Sequence, residues 1–203
     1  ISSPPQLDCD FEEVIIDASG SSGGTTFDWS GPSIVSGQGT PTITVDEPGT
    51  YTLILTNDDT GCTAEDQVTV SQDITEPNIV ILPPEELTCA IADIIIDATG
   101  SDDGPNFIFQ WTGGNIVSGG NTLTPTVDGP GTYTLTITNT DNGCTAQESV
   151  SVSQDITLPP ATIATPPQLD CNNSTIEIDA TGSGNGNSTF VWDASGPGNI
   201  VSG

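Results

Sequence analysis

Pro130-Gly131-Thr132-Tyr133-Thr134-Leu135-Thr136-Ile137-Thr138 is the stretch that decides how this chain folds. Tyr133, Leu135 and Ile137 alternate with threonines, so an extended backbone puts the apolar set on one face and the hydroxyls on the other. That is a half-buried strand. Its opening recurs upstream as Pro48-Gly49-Thr50-Tyr51-Thr52-Leu53, which makes the strand part of a repeat.

Working outward, the rest of the repeat falls into register. Gly-Cys-Thr-Ala begins at Gly61 and Gly143, and Val-Ser-Gln-Asp-Ile-Thr at Val70 and Val152. Ile-Asp-Ala followed by Ser or Thr, Gly and Ser begins at Ile16, Ile96 and Ile178, and Ile-Val-Ser-Gly at Ile34, Ile116 and Ile200. Trp29, Trp111 and Trp192 are 82 and 81 positions apart (111 − 29 and 192 − 111). A period near 80 is too long for a solenoid unit and fits a small domain with its own core. The expected domains are residues 1–75, 76–157 and the first half of a third repeat at 158–203. The third copy stops at Gly203, before a Tyr motif or a second cysteine, so the sequence reads as a window on a longer array.

Each copy reads as all-β. Gly and Pro, 23 and 16 in number, punctuate short apolar runs, and no long stretch carries helical periodicity. Phe27 and Trp29 flank Asp28, Phe109 and Trp111 flank Gln110, and Phe190 and Trp192 flank Val191, each an inward-outward-inward strand. Ile94-Ile95-Ile96 is continuously apolar, as expected of a strand covered on both faces. Asp59-Thr60-Gly61 and Asp141-Asn142-Gly143 have the composition of hairpin turns. About seven short strands, a Trp on a middle strand and a Tyr opening a late one predict tandem immunoglobulin-like β-sandwich domains, arranged as beads on a string. Tyr51 and Tyr133 are the expected corner residues of those sandwiches.

Composition narrows the function. The chain has 28 acidic residues and no lysine, arginine or histidine, for a formal net charge of −28. Without histidine or lysine most general acid–base and covalent mechanisms lack their parts, and no carboxylate pair is marked out for glycoside hydrolysis, so no enzyme is expected. Nucleic acid is excluded as a partner because its phosphates need cationic side chains. No apolar run is long enough for a membrane-spanning helix, so direct membrane insertion is not expected. The like charges repel one another without internal cations, so the fold should be steadied by salt.

The combination of Ile-Asp-Ala-Ser-Gly-Ser at Ile16, Pro-Gly-Thr-Tyr-Thr-Leu at Pro130, Thr-Asn-Thr-Asp-Asn-Gly-Cys-Thr-Ala at Thr138 and Val-Ser-Gln-Asp at Val152 resembles the polycystic-kidney-disease-type and related immunoglobulin-like repeats of very large Bacteroidota surface proteins. The resemblance covers the whole chain. It implies export by type IX secretion, long arrays, and roles as gliding or surface adhesins or as grappling-hook filaments of predatory marine members. Where the polycystic-type strand carries Trp-Asp-Phe-Gly-Asp-Gly, this chain has Trp-Ser-Gly, Trp-Thr-Gly and Trp-Asp-Ala at Trp29, Trp111 and Trp192.

Five cysteines follow the repeat: Cys9 and Cys62, Cys89 and Cys144, and Cys171 alone. Spacings of 53 (62 − 9) and 55 (144 − 89) are far from metal-knuckle intervals. The expected pairs are therefore Cys9 with Cys62 and Cys89 with Cys144, with the partner of Cys171 beyond Gly203; the alternative is a bond to a neighbouring chain. Such bridges imply an oxidising exterior, extracellular or at the cell surface. Asp73 and Asp155, each ahead of a proline-containing linker, are the candidate calcium ligands at interdomain junctions, with a turn-capping role as the alternative. No other cofactor is expected.

Function then reads as structural: a repeat segment of a large secreted adhesin, stalk or filament, giving length and mechanical strength. The alternative is a module that binds a glycan or protein, and the Trp and Phe residues are better explained as core than as a sugar platform. The expected partners are further copies of the repeat and self-association into a filament.

Overall fold

The computed structural model describes residues 1–22, 26–172, 174–184, 186–194 and 200. The chain divides into two compact units, Ile1–Gln154 and Asp155–Gly203. Among the described residues no helix is long and apolar enough to cross a membrane.

The first unit holds two all-β repeats. The first contributes β1 (Leu7–Asp8), β2 (Val14–Asp17), β3 (Thr26–Ser30), β4 (Thr42–Val45), β5 (Gly49–Thr56), β6 (Thr63–Val70) and β7 (Gln72–Asp73). The second contributes β8 (Leu87–Thr88), β9 (Ile94–Ile95), β10 (Phe107–Gly113), β11 (Ile116–Ser118), β12 (Thr126–Val127), β13 (Gly131–Asn139) and β14 (Thr145–Val152), and β15 (Gln154–Asp155) follows.

In each repeat the Trp strand, the Tyr strand and the last long strand form an antiparallel sheet, ordered β3-β5-β6 and β10-β13-β14. The facing sheet is β2-β4 in the first repeat and β11-β12-β9 in the second. A bridge from Ser36 to Thr44 stands where β11 pairs β12. These are the C-F-G and B-E-D sheets of an immunoglobulin-like sandwich. The predicted fold class is thus observed.

Two separate cores explain the alternation read in the sequence. Leu7, Val14, Ile16, Trp29, Ile43, Val45, Tyr51, Leu53 and Val70 pack in one repeat. Leu87, Ile94, Ile96, Trp111, Val127, Tyr133, Leu135, Ile137 and Val152 pack in the other. Trp29 and Trp111 are 2% and 5% exposed, and each indole N–H donates to a backbone carbonyl, Thr40 O or Thr122 O, at 2.9 Å. Those bonds let a large apolar ring be buried without an orphaned donor. Tyr51 and Tyr133 are tyrosine corners: their hydroxyls donate to Glu47 O at 2.8 Å and Gly129 O at 2.7 Å, four residues upstream. Burial raises the Tyr51 phenol above its ordinary value, against the lowering effect of its bond with Ser33.

Two strand expectations need correction. Ile95 is 61% exposed between buried Ile94 and Ile96, so the triple isoleucine is covered on one face only; β9 lies at the edge of a three-stranded sheet whose outer face has no second layer. In the second unit Trp192 is 39% exposed, and beyond Asp155, the last residue of β15, no strand occurs among the described residues. Its turns nevertheless repeat those of the second repeat. Ala164 N–H donates to Asp179 O as Leu82 N–H does to Asp97 O, and Ser183 brackets Thr162 as Ser101 brackets Val80.

Candidate functional site at the repeat junction

The site lies where the first repeat hands over to the second, and strand direction creates it. β1 runs parallel to β7, with Leu7 opposite Gln72 and Asp8 opposite Asp73. Cys9, directly after β1, is therefore carried to the trailing end of the first repeat, beside the outgoing linker. The Leu7 side chain, 1% exposed in the core, anchors this short strand; burial of a leucine is worth about 1.5–3 kcal/mol. The turn between β13 and β14 is at the opposite, leading end of the second repeat, because β14 runs from that turn toward β15. The two ends meet.

What joins them is a disulfide. Cys9 and Cys144 are bonded across a sequence separation of 135, with Cα atoms 5.0 Å apart. Cys62, Cys89 and Cys171 are free and exposed. The expected pairing within each repeat is thus replaced by one between repeats, and the reason is geometric. Cys62 stands at the start of β6 and Cys9 beside the end of β7, so residues 63–73 of extended chain separate them, roughly 30 Å at the rise of a strand. A disulfide tolerates only about 4.4–6.8 Å between Cα atoms. Cys89 and Cys144 stand in the same relation in the second repeat.

Asn142 is the polar centre of the junction. It is 2% exposed, and its backbone carbonyl and both side-chain polar atoms have partners. Its carbonyl accepts from Cys9 N–H at 2.9 Å, its side-chain amide donates to Thr75 O at 3.0 Å, and its side-chain oxygen accepts from Cys144 N–H at 3.1 Å. Buried amides persist where such pairing is complete. Gly143 follows with φ +69, a left-handed conformation that favours glycine, and the exposed Asp10 carboxyl of the first repeat lies against it.

Asp73 caps the linker. Its carboxyl accepts from Thr75 N–H at 3.0 Å and lies below the usual carboxylate range because of the Thr75 backbone bond first, then the Thr75 hydroxyl and the Asn142 side chain. Asp155 repeats the cap, held down by the Thr157 hydroxyl and then its N–H. The two candidate calcium ligands thus occupy turn-capping positions, and among the described residues no group of three or more acidic, cysteine or histidine side chains is gathered.

Sequence reasoning singled out Cys9, Cys144 and Asp73 but missed Asn142. The available signal was that Asn142 stands where the corresponding turn of the first repeat has Thr60.

No protein-family model matches the sequence, and no curated protein matches it. Among solved structures, extracellular domains 3–5 of Drosophila OTK match with 17% identity and a TM-score of 0.39, over 76% of this chain and 61% of that one. Three N-terminal domains of the bacteriophage RB49 Highly Immunogenic Outer Capsid protein match with 15% identity and a TM-score of 0.41, over 81% and 61%. Murine CEACAM1b matches with 14% identity and a TM-score of 0.33, over 75% and 96%. The chain thus spans about 61% of the first of these. The fold assignment rests on the strand order given above.

Proposed function

We propose that this chain is a structural repeat segment of a large secreted or cell-surface adhesin, stalk or extracellular filament, supplying length and mechanical strength. The observation that carries this is the Cys9–Cys144 bond, because it fastens one folded repeat to the next. Under tension applied at the ends, a covalent bond across a separation of 135 withholds roughly 450 Å of extended chain. In the chain-entropy model, closing a loop of that length stabilises by about 5 kcal/mol. Disulfides of this kind form in oxidising compartments, which supports an extracellular setting. A chain without histidine, lysine or arginine supports a role that is not catalytic.

The resemblance to the giant Bacteroidota repeats supports the finer reading: an exported array whose partners are further copies of the same repeat, with export by type IX secretion. A second reading, a binding module, draws on one feature. An open groove of about 490 Å³ beside the second repeat is lined by Leu82, Pro83, Pro84, Ile94 and Ile95 among others.

Single-molecule pulling on the oxidised chain tests the mechanical reading. Unfolding steps should be short until a reductant is added, and then lengthen by roughly 450 Å. Steps of equal length with and without reductant would contradict it.

A further inference from the structure

Cys62 and Cys89 are the positional twins of the two bonded cysteines. The turn that presents Cys9 has Asp8 N–H donating to Phe11 O at 3.0 Å, with the Asp8 carboxyl accepting from the N–H groups of Asp10 and Phe11. At Cys89 the same turn is built with threonine: Thr88 N–H donates to Ile91 O at 2.9 Å, and the Thr88 hydroxyl accepts from Ala90 and Ile91. Leu87 anchors it in the core as Leu7 does, and Leu87 N–H bonds Ser153 O as Leu7 N–H bonds Ser71 O.

The turn that presents Cys144 is matched as closely. Asn139 N–H donates to Cys144 O at 2.9 Å and Asn57 N–H to Cys62 O at 2.9 Å. Gly143 and Gly61 have φ +69 and +70. The turns differ at two positions, Asp58 for Thr140 and Thr60 for Asn142, and the Thr60 hydroxyl accepts from Cys62 N–H at 3.4 Å. Each repeat thus carries one finished half of a staple and one open half, held in the same backbone frame.

We infer that the staple is serial: the first cysteine of each repeat bonds the second cysteine of the repeat that follows. Cys89 is then the attachment point for a following copy and Cys62 for a preceding copy. This rests on the tandem-array reading and deepens it. The loops overlap, since Cys89 lies inside the 9–144 loop, so every repeat is tied to both neighbours. The covalent path runs from Cys9 to Cys144, along the backbone to Cys171 and onward through the next bond. Each such bond leaves only the 27 positions between Cys144 and Cys171 (171 − 144) free to extend per two repeats. Pairing within repeats would leave two such gaps over the same distance.

The chemistry is thiol–disulfide exchange. The oxidant is a dithiol–disulfide oxidoreductase in its disulfide form. A Cys89 thiolate attacks one of its sulfurs, breaking that bond and forming a mixed disulfide. The thiolate of the following repeat then displaces the oxidoreductase, which leaves as a dithiol carrying the two electrons; the two protons go to solvent or to its sulfurs.

The test extends the full chain beyond Gly203 with a second copy of residues 120–157, which completes the third repeat and adds a sixth cysteine. After oxidation, alkylation of free thiols and cleavage at acidic residues, mass spectrometry should find Cys89 linked to the added cysteine beside a Cys9–Cys144 link, leaving Cys62 and Cys171 as the two alkylated thiols. Three links within repeats and no free thiol would overturn the inference, as would alkylated Cys89. The same map of the secreted array that carries this segment removes dependence on the added half-repeat, with Cys89 linked to a Gly-Cys-Thr-type cysteine of the next copy as the expected result. A secreted array in which Cys89 is a free thiol overturns the serial staple yet leaves the Cys9–Cys144 bond and the mechanical reading standing.

Discussion

The Asn142 side-chain amide of the second repeat donates to the Thr75 carbonyl of the linker at 3.0 Å, tying together two residues 67 positions apart. Asn142 also accepts from Cys9 N–H through its backbone carbonyl and from Cys144 N–H through its side-chain oxygen, so one buried residue orders the linker and the disulfide together. Asn142→Ala should therefore lower unfolding free energy by about 1–3 kcal/mol, the cost of orphaning buried polar groups. Thr60→Asn at the equivalent exposed turn should change stability by less than about 0.5 kcal/mol. Urea titration followed by tryptophan fluorescence separates the two.

The tyrosine corners predict matched losses in both repeats. Tyr51→Phe and Tyr133→Phe remove the hydroxyl bonds to Glu47 O and Gly129 O and should each cost about 1 kcal/mol. Gly31→Ala should cost about 1–3 kcal/mol, since a Cβ there overlaps the Tyr51 ring, which is fully buried and has no room to retreat. Thermal melts of the three variants check this.

Several aspartates cap turns through their carboxylates. Asp17 is held low by Ser19 N–H and then the Ser19 hydroxyl, Asp97 by the Thr99 hydroxyl and then its N–H, and Asp73 by Thr75 and Asn142. A folded-state pKa below the unfolded one contributes stability above about pH 4 that is lost as pH falls through the folded value. In 1 M salt, where repulsion is screened, stability should be level from pH 7 to about 5 and fall below about 4. Denaturant midpoints measured across that range test it; a midpoint that keeps rising toward pH 3 would contradict the capping role.

With 28 acidic residues and no lysine, arginine or histidine, the folded chain carries self-repulsion that salt relieves. Melting temperature should climb as sodium chloride rises toward 1 M, where the screening length drops to about 3 Å. A flat response would show that the acidic surface is neutral to folding. Calcium compared at equal ionic strength adds the junction test: any excess stabilisation over sodium should vanish with Asp73→Asn.

The sandwich was legible because its strands are half-buried: Tyr133, Leu135 and Ile137 keep one face, and that face is the core. The edges were less so. Ile94-Ile95-Ile96 reads as doubly covered, but an edge strand of a bare-faced sheet leaves Ile95 in water, and composition does not encode which face has a second layer. The disulfide was misread for a more instructive reason. Spacing gives contour length, whereas pairing depends on which end of the sandwich each cysteine reaches. β1 parallel to β7 sends Cys9 to the trailing end while the β5–β6 turn holds Cys62 at the leading end, a consequence of topology rather than of either cysteine's neighbours. Asn142 was hidden because its partners Thr75 and Cys9 lie in another repeat.

The central claim is that successive repeats are joined through Cys9 and Cys144. The direct measurement is a non-reducing disulfide map of the 203-residue chain, with thiols blocked before digestion. Because the chain holds no lysine or arginine, trypsin leaves it whole and cleavage must be at aspartate or glutamate. The account predicts a cross-linked pair containing Cys9 and Cys144, with Cys62 and Cys89 blocked as thiols. Recovery of Cys9 with Cys62 and of Cys89 with Cys144 would contradict it.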